Sequence, residues 1–494
     1  FKHTFKVDGQ DLKARYVKVK ATTVGKLPQE HPAAGSDAWI FVDEVIIENP
    51  LTPYVNPFIG TGGHGHTYPG ASTPFGMVQL SPDTRLEGWD GCGGYHYSDD
   101  KIFGFSHTHL SGTGIPDYGD ILIMPTTGEL LLNNGADGNP GYASEFSHDK
   151  EIAQTGFYKV FLEDYNINVE LTASPRVGFH KYTFPKNNTA QIVLDLEHRD
   201  RLIEYNIQLI DSVTIQGIRY SNDWAKEQKV HFYMKFSKKI NEVTFNEKKS
   251  IAGISFGKLN NPLLVKVGIS AVSVDGAKAN LEQEVPHWKF EKIKDDARQL
   301  WELELGKIVV EGKSEKQKEI FYTALYHSLL VPNLYVDVDG HYNGTDLKKH
   351  HTDDKHYTIF SLWDTFRATH PLFTIIQQKR TGEFIRTLLR QYKEGGQLPI
   401  WELAANYTGC MIGYHAIPVI VDAYAKGITD FDVDLALKAM IHSAKQDDLG
   451  LKYYKENGFI SASDEPESVS KTLEYAYDDW CIAFIAEQLG DEKT

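Results

Sequence analysis

The spacing of apolar residues changes period once along this chain, and the change bounds what it can fold into. Before about residue 272, short runs alternate apolar with polar residues: 156–162, 167–172, 177–184, 190–196, 213–220 and 230–236. Alternation sends successive side chains to opposite faces of a strand, and runs of this length broken by Gly, Asn and Asp turns predict an antiparallel β-sandwich. A charged break near Arg201 interrupts the series. Residues 277–305 are charged, with Phe290, Ile293, Ala297, Leu300 and Trp301 at helical spacing, which predicts a linker of one or two helices. From Ser314 the period stays helical, and helices are placed at 316–330, 361–377, 381–393, 411–426, 433–445 and 469–489. Ile320, Phe321, Ala324, Leu325 and Leu329 make the expected buried stripe of the first. Gly395 with Gly396, Gly427 and Gly490 supply C-terminal stops, Asp432 an N-cap, and Pro371 and Pro418 a kink or a late start. Helices alternating with loops rich in functional groups predict an α/α toroid.

Chemistry-bearing residues concentrate in two places. The first is the glycine-dense stretch 56–120, where His64, His66, Trp89, Asp90, Cys92, His96, His107, His109 and Asp117 sit among or soon after ten glycines from Gly60 to Gly94. Ordering such a stretch costs conformational entropy, which favours a binding site over filler, while a string of tight turns is the plain alternative. His64 and His66, two apart, would share a face of a strand. They read as pocket lining rather than zinc ligands, because Cys92, Cys410 and Cys481 are far apart and form no Cys-x-x-Cys pair. Trp89 is a candidate stacking platform, with a core tryptophan as the alternative.

The second is a set of motifs in the helical region. Trp363, Asp364 and Arg367 lie beside a helix start, where a carboxylate can accept hydrogen bonds from two vicinal hydroxyls and an arginine can orient it. The alternative is a capping or salt-bridged aspartate. Trp401 and Glu402 follow a Gly-Gly-Gln-Leu-Pro loop, which makes Glu402 the obvious general-acid candidate from position alone. Glu474 and Asp478, four apart on the last helix, share a face that points either to the toroid centre or to solvent.

These stretches, namely 56–120, 361–367, 396–402 with 411–415, and 468–480, resemble in order the signatures of glycoside hydrolase family 92, the calcium-dependent exo-acting α-mannosidases. The resemblance runs from about Pro53 to the C-terminus. It implies a β-sandwich over 51–275, a helical linker over 276–313 and the N-terminal part of an α/α toroid over 314–494, with about half of the toroid's helices present. It implies hydrolysis of terminal α-linked mannose with inversion of configuration. Asp364 would then bind the terminal sugar, with Trp363, Arg367, Trp89, Cys92, His64, His66, Trp401 and Glu402 around it. The family's acid and base lie in motifs beyond the 468–480 block, so no catalytic pair is assigned here; both are expected beyond Thr494, as are most calcium ligands. The chain is therefore expected to hold the substrate-binding half, to be inactive alone, and to associate with the segment after Thr494 through exposed apolar toroid faces. A non-catalytic mannose- or glycan-binding protein is the competing reading, and another toroid glycosidase or a phosphorylase-like enzyme a third. Residues 14–21 and 39–47 read as strands around a polar loop at 26–37; they resemble the end of a galactose-binding-like jelly-roll, so 1–50 is expected to be the remnant of an accessory domain.

Composition narrows the partners. A net charge of −16 argues against nucleic acid or an anionic membrane surface. Aromatic residues make up 12% of the chain, which suits stacking on sugars, although many must serve the core. No apolar run approaches the ~20 residues of a membrane span. Three scattered cysteines give no disulfide framework. The expected partners are mannose-containing glycans, and an extracytoplasmic location is expected because the chain begins at Phe1 rather than at an initiator methionine; the sequence leaves the oligomeric state open.

Overall fold

In the computed structural model, which describes residues 25–27, 29, 32–37 and 50–491, the alternating segments build two antiparallel sheets. One has seven strands in the order Ala71–Ser72, Gln79–Asp83, Gly104–Ser106, Leu122–Thr126, Thr189–Asp195, Ile251–Lys258 and Glu242–Phe245. The other has eight, in the order Arg201–Asp211, Thr214–Asn222, Gln228–Phe236, Leu263–Ser270, Val177–Thr183, Ile167–Ala173, Phe157–Leu162 and Ile152–Gln154. Their inner faces share one core, with Leu80, Phe105, Ile123 and Ile254 from the first sheet and Val169, Leu171, Phe232 and Val265 from the second. Each such side chain contributes roughly 1.5–3 kcal/mol on full burial, which is why the register is well specified. The sandwich expected from alternation is therefore the fold of this region.

Two differences have physical causes. The charged break near Arg201 is an eleven-residue strand, Arg201–Asp211, at the edge of the larger sheet. None of its residues is fully buried; Leu202, Tyr205 and Ile207 only half-bury against the core, and apolar residues also face outward, so no clean alternation marks it in the sequence. The glycine-dense stretch also holds sheet strands, whose residues are buried on both sides and so do not alternate.

The linker forms two helices, α1 (Val274–Glu284) and α2 (Phe290–Leu305). Helix α1 starts at Ser273, whose hydroxyl accepts from Gly276 N at 3.0 Å, and lies on the larger sheet. Its approach requires Gly268, where a Cβ would stand 2.3 Å from the Ala277 carbonyl oxygen. In α2, Phe290, Ile293, Ala297 and Trp301 are buried as expected while Leu300 is exposed. Trp301 Nε1 donates to the Ser72 carbonyl at 2.7 Å and ties the linker to the sandwich.

The helical region continues as α3 (Glu315–Ser328), α4 (Leu362–Thr365), α5 (Thr369–Ile376), α6 (Gln378–Gly395), α7 (Ala416–Ala425), α8 (Val433–Ala444), α9 (Leu451–Asn457) and α10 (Ser468–Gln488). These are helices of the α/α toroid type, packed around one apolar core that includes Leu325, Leu388, Ile420, Met440 and Ile485. The buried face of α3 is Tyr322, Leu325 and Tyr326, and Ile320 is exposed, so the expected stripe is turned. Tyr322 can lie inward because its hydroxyl accepts from Val310 N at 3.1 Å. The single helix expected over 361–377 is broken at Phe366–Ala368, and Pro371 falls in the first turn of α5, where its missing N–H costs nothing. Pro418 likewise stands in the first turn of α7, which starts five residues later than expected. Asp432 caps α8, accepting from Leu435 N at 2.9 Å, and Gly396 ends α6 at φ +85°.

Residues 1–50 and 51–494 separate as two compact units. In the first, Lys26 bridges antiparallel to Asp37, with Nζ 2.6 Å from Oδ1. The strands expected at 14–21 and 39–47 lie outside the described residues.

Candidate functional site

The glycine-dense stretch gathers His64, His66, Trp89 and Asp90 into one patch. Residues 62–67 are not a strand, contrary to the basis for pairing the two histidines: His66 has φ +55° and is buried, while the His64 side chain is 81% exposed. What joins them is Asp90. Its Oδ1 lies 2.6 Å from His64 Nδ1 and 3.8 Å from His66 Nε2. Those contacts hold the Asp90 carboxyl below the usual range, with the His64 hydrogen bond the largest cause. His66 Nδ1 is 2.9 Å from the Thr113 carbonyl, whereas its buried Nε2 has no hydrogen-bond partner. Trp89, on a short 3-10 turn (Trp89–Gly91), meets the His66 ring edge-on at 4.5 Å and is 60% exposed. An exposed indole braced from behind and a buried nitrogen without a partner together offer a face and a polar contact to a ligand. Cys92 lies beneath this surface, buried, and burial raises its thiol pKa, so it backs the patch rather than presenting a reactive group. All three cysteines are free.

His107 and His109 are not at this surface. They sit inside the sandwich, His107 Nε2 at 3.0 Å from His180 Nε2 and His109 Nε2 at 3.2 Å from Asp83 Oδ1. Desolvation pushes His107 down to about 4, which fits a neutral structural imidazole.

The second patch is built on α4 and α10. Asp364 is exposed; one carboxylate oxygen accepts from the Ser361 hydroxyl. Arg367, one turn on, extends over the Phe366 ring at 4.6 Å and the Trp363 ring at 5.3 Å, and its Nη2 donates to Glu474 Oε1 at 3.2 Å. Glu474 Oε2 lies 3.2 Å from His415 Nε2, and His415 Nδ1 lies 2.8 Å from Asp478 Oδ1. The Phe366 ring stacks on His415 at 3.9 Å. Asp478 is fully buried, and its Oδ2 accepts from Tyr414 N at 2.9 Å. Of the two readings of the Glu474–Asp478 face, the inward one holds. A chain of contacts thus runs from buried Asp478 through His415 and Glu474 to Arg367, in the same short segment as Asp364. His415 is the residue sequence reasoning passed over; its signal was its place in the 411–415 motif. Asp90 was likewise given no role, although it adjoins Trp89.

Trp401 and Glu402 occupy neither surface. They lie in strand Trp401–Leu403, paired with Phe360–Ser361 on one side and Asn406–Tyr407 on the other. Trp401 is buried against Trp224 with ring centroids 4.8 Å apart. Glu402 is 1% exposed, and protein donors occupy both of its oxygens: Thr358 Oγ1 at 2.8 Å, Ile359 N at 3.0 Å and Ala405 N at 2.6 Å. Ile359, Ala404 and Ala405 all have positive φ, a conformation that non-glycine residues hold only when their surroundings enforce it. Glu402 accepts from the N–H groups of Ile359 and Ala405, Ala404 N donates to Thr358 Oγ1, and the Glu402 strand pairs with Ser361, the residue bonded to Asp364. Desolvation pushes the Glu402 carboxyl up to about 7. Glu402 is expected to orient either substrate or a neighbouring group; it follows its loop on a strand rather than standing on the loop, and strand pairing turns its side chain inward onto neighbouring groups.

Among the described residues, no three His, Cys, Asp or Glu side chains are grouped to hold a metal ion. No helix among the described residues is long and apolar enough to cross a membrane.

Residues 54–270 match the glycosyl hydrolase family 92 N-terminal domain, and residues 276–494 match the glycosyl hydrolase family 92 catalytic domain. A family GH92 α-mannosidase of Bacteroides thetaiotaomicron, solved in complex with mannoimidazole, is 41% identical with a TM-score of 0.87, over 90% of this chain and 62% of that one. A family GH92 inverting mannosidase of Bacteroides thetaiotaomicron is 31% identical with a TM-score of 0.82, over 90% and 63%. An uncharacterized secreted glycosidase of Arthroderma benhamiae is 26% identical over 503 residues, covering 90% of this chain and 61% of that protein. The chain thus spans about three fifths of the length of these relatives.

Proposed function

The chain belongs to glycosyl hydrolase family 92, and on that footing we propose that it is the substrate-holding part of an exo-α-mannosidase, which removes terminal non-reducing α-linked mannose from glycans or mannans with inversion of configuration. The observation that carries the reading is the match of two consecutive family domains, in order, over residues 54–270 and 276–494. The inverting outcome is supported by the likeness to a relative described as an inverting mannosidase. We also propose the division into 1–50, 51–275, 276–313 and 314–494.

In this reading the chain's residues bind and orient. Asp364 accepts hydrogen bonds from two vicinal hydroxyls of the terminal sugar, with Ser361 fixing one of its oxygens. Arg367, anchored by Glu474 and packed on Phe366, sets the local charge beside it. Trp89 stacks on an apolar sugar face, and His66 Nε2 meets a hydroxyl. Cys92 and Trp401 back these surfaces, and Glu402 holds the strand before Asp364 in place. Inversion requires an acid and a base about 6.5–9.5 Å apart on opposite sides of the scissile bond. No residue described above is given either role. Calcium is implied by the family resemblance, but the described residues do not group to hold it, so none is assigned as a ligand and no step is derived through it. An extracytoplasmic location is proposed, supported by the secreted relative.

The test is steady-state hydrolysis of terminal α-mannosides by the intact protein and its Asp364→Asn variant. The proposal expects this chain to bind mannose, turnover to occur only where the catalytic acid and base are also supplied, and Asp364→Asn to cause a large loss of both with the fold intact. Mannose binding without turnover even where the acid and base are supplied would instead identify a carbohydrate-binding protein.

A further inference from the structure

The larger sheet ends on Arg201–Asp211, which pairs with Thr214–Asn222 on one side only. A long edge strand presents unpaired N–H and C=O groups and is a template for another strand unless blunted. Here the edge also carries large apolar side chains in the open: Ile203, Leu209 and Ile210 are each about half exposed. The register with Thr214–Asn222 shifts at Leu202/Glu204 and at Leu209/Asp211, and between them Glu204–Leu209 pairs in continuous register.

The sequence of this edge, RLIEYNIQLID, is complementary to itself in reverse. An antiparallel copy centred on Asn206 sets Arg201 opposite Asp211, Leu202 opposite Ile210, Ile203 opposite Leu209, Glu204 opposite Gln208 and Tyr205 opposite Ile207, with Asn206 facing itself. Every apolar residue meets an apolar residue, the terminal charges are opposite, and no like charges face each other. Directly opposed pairs of these kinds are the stabilising unit of antiparallel sheets. Arg201 already donates one bond to Asn222 Oδ1 at 3.0 Å, and Asp211 Oδ1 accepts from Val213 N at 2.8 Å, so both side chains are held at the ends of the edge.

We propose that the Arg201–Asp211 edge is a homodimer interface, at which a second copy of this chain adds its own Arg201–Asp211 strand antiparallel about a two-fold axis at Asn206. Such a contact is isologous, the same patch serving both partners, and self-complementarity in reverse is what that symmetry demands. A strand of an unrelated protein would place no such demand on the sequence. One strand from each side buries less than the roughly 1,200–2,000 Å² of a standard stable interface, so the dimer is weak and concentration-dependent. This inference does not rest on the proposed glycosidase function.

The test is sedimentation equilibrium of the intact protein over a concentration series, with variants checked for parent-like circular dichroism and melting. The parent is expected to associate as a dimer, and Leu209→Lys to abolish association. Arg201→Asp and Asp211→Arg each place like charges together twice per dimer and should weaken the dimer about tenfold. The double variant Arg201→Asp/Asp211→Arg restores opposite charges and should return to within about threefold of the parent. A parent that stays monomeric throughout, a dimer indifferent to Leu209→Lys, or a double variant no tighter than either single variant would overturn the proposal.

Discussion

Trp89 and Glu402 stand at the two extremes of how this chain uses functional-looking residues. Trp89 is 60% exposed and braced from one side, and its neighbour His66 keeps a nitrogen without a partner. Glu402 is 1% exposed, with both oxygens bonded to protein donors. The first arrangement leaves bonding capacity for a ligand; the second spends it on the backbone. A carboxylate turned onto the backbone acts through what it holds, and Glu402 accepts from the N–H groups of Ile359 and Ala405, both at positive φ, next to the strand that leads to Asp364.

The contrast is sharpest where it is broken at its buried end. Glu402→Ala strands the donors of Thr358, Ile359 and Ala405, and a loss of roughly 3 kcal/mol or more in folding stability is expected from urea denaturation. At the exposed end of the helical patch, Asp364→Ala should leave the melting curve unchanged. It should lower kcat/KM for a terminal α-mannoside by about 30- to 150-fold, the loss of roughly 2–3 kcal/mol of charge-assisted hydrogen bonding. Trp89→Ala removes a stacking face and should raise KM about fivefold, near 1 kcal/mol, again without loss of stability. His64→Ala, which cuts only a solvent-exposed contact to Asp90, should change neither quantity measurably.

The buried carboxyl also carries a pH signature. Burial raises the Glu402 pKa to about 7, above an unfolded value near ~4.3. The folded state then binds that proton more tightly, so the contribution to stability is full below the unfolded value and is lost as pH rises through about 7. Glu402→Gln has no such proton, and urea midpoints measured from acidic to neutral pH should fall less steeply in this variant than in the parent.

The sandwich was legible because inward residues such as Val169, Leu171, Phe232 and Val265 recur at every second position between outward ones. The Arg201–Asp211 strand was not, because at this edge even the residues packed on the core, Leu202, Tyr205 and Ile207, are only half-buried and apolar side chains such as Ile203, Leu209 and Ile210 stay in the open. Helix α3 was found but turned, since tyrosines at 322 and 326 count as polar in a pattern yet bury their rings once the Tyr322 hydroxyl finds a partner. For the site, motif spacing located Trp89, Asp364 and Arg367 on accessible surfaces. It left Glu402 between orienting substrate and orienting a neighbouring group, because whether a carboxylate faces a ligand or a backbone depends on strand pairing with Phe360, far back in the chain. It also left Asp478 undecided, because its partner His415 comes from a different helix end.

The central claim is that this chain holds a terminal mannose for an inverting hydrolysis. Its most direct test is proton NMR of the sugar first released from an α-mannoside by the intact protein, recorded before mutarotation. The account predicts β-mannose as the initial product. Initial α-mannose would contradict inversion, and bound mannose with no release would replace the hydrolase reading with a binding protein.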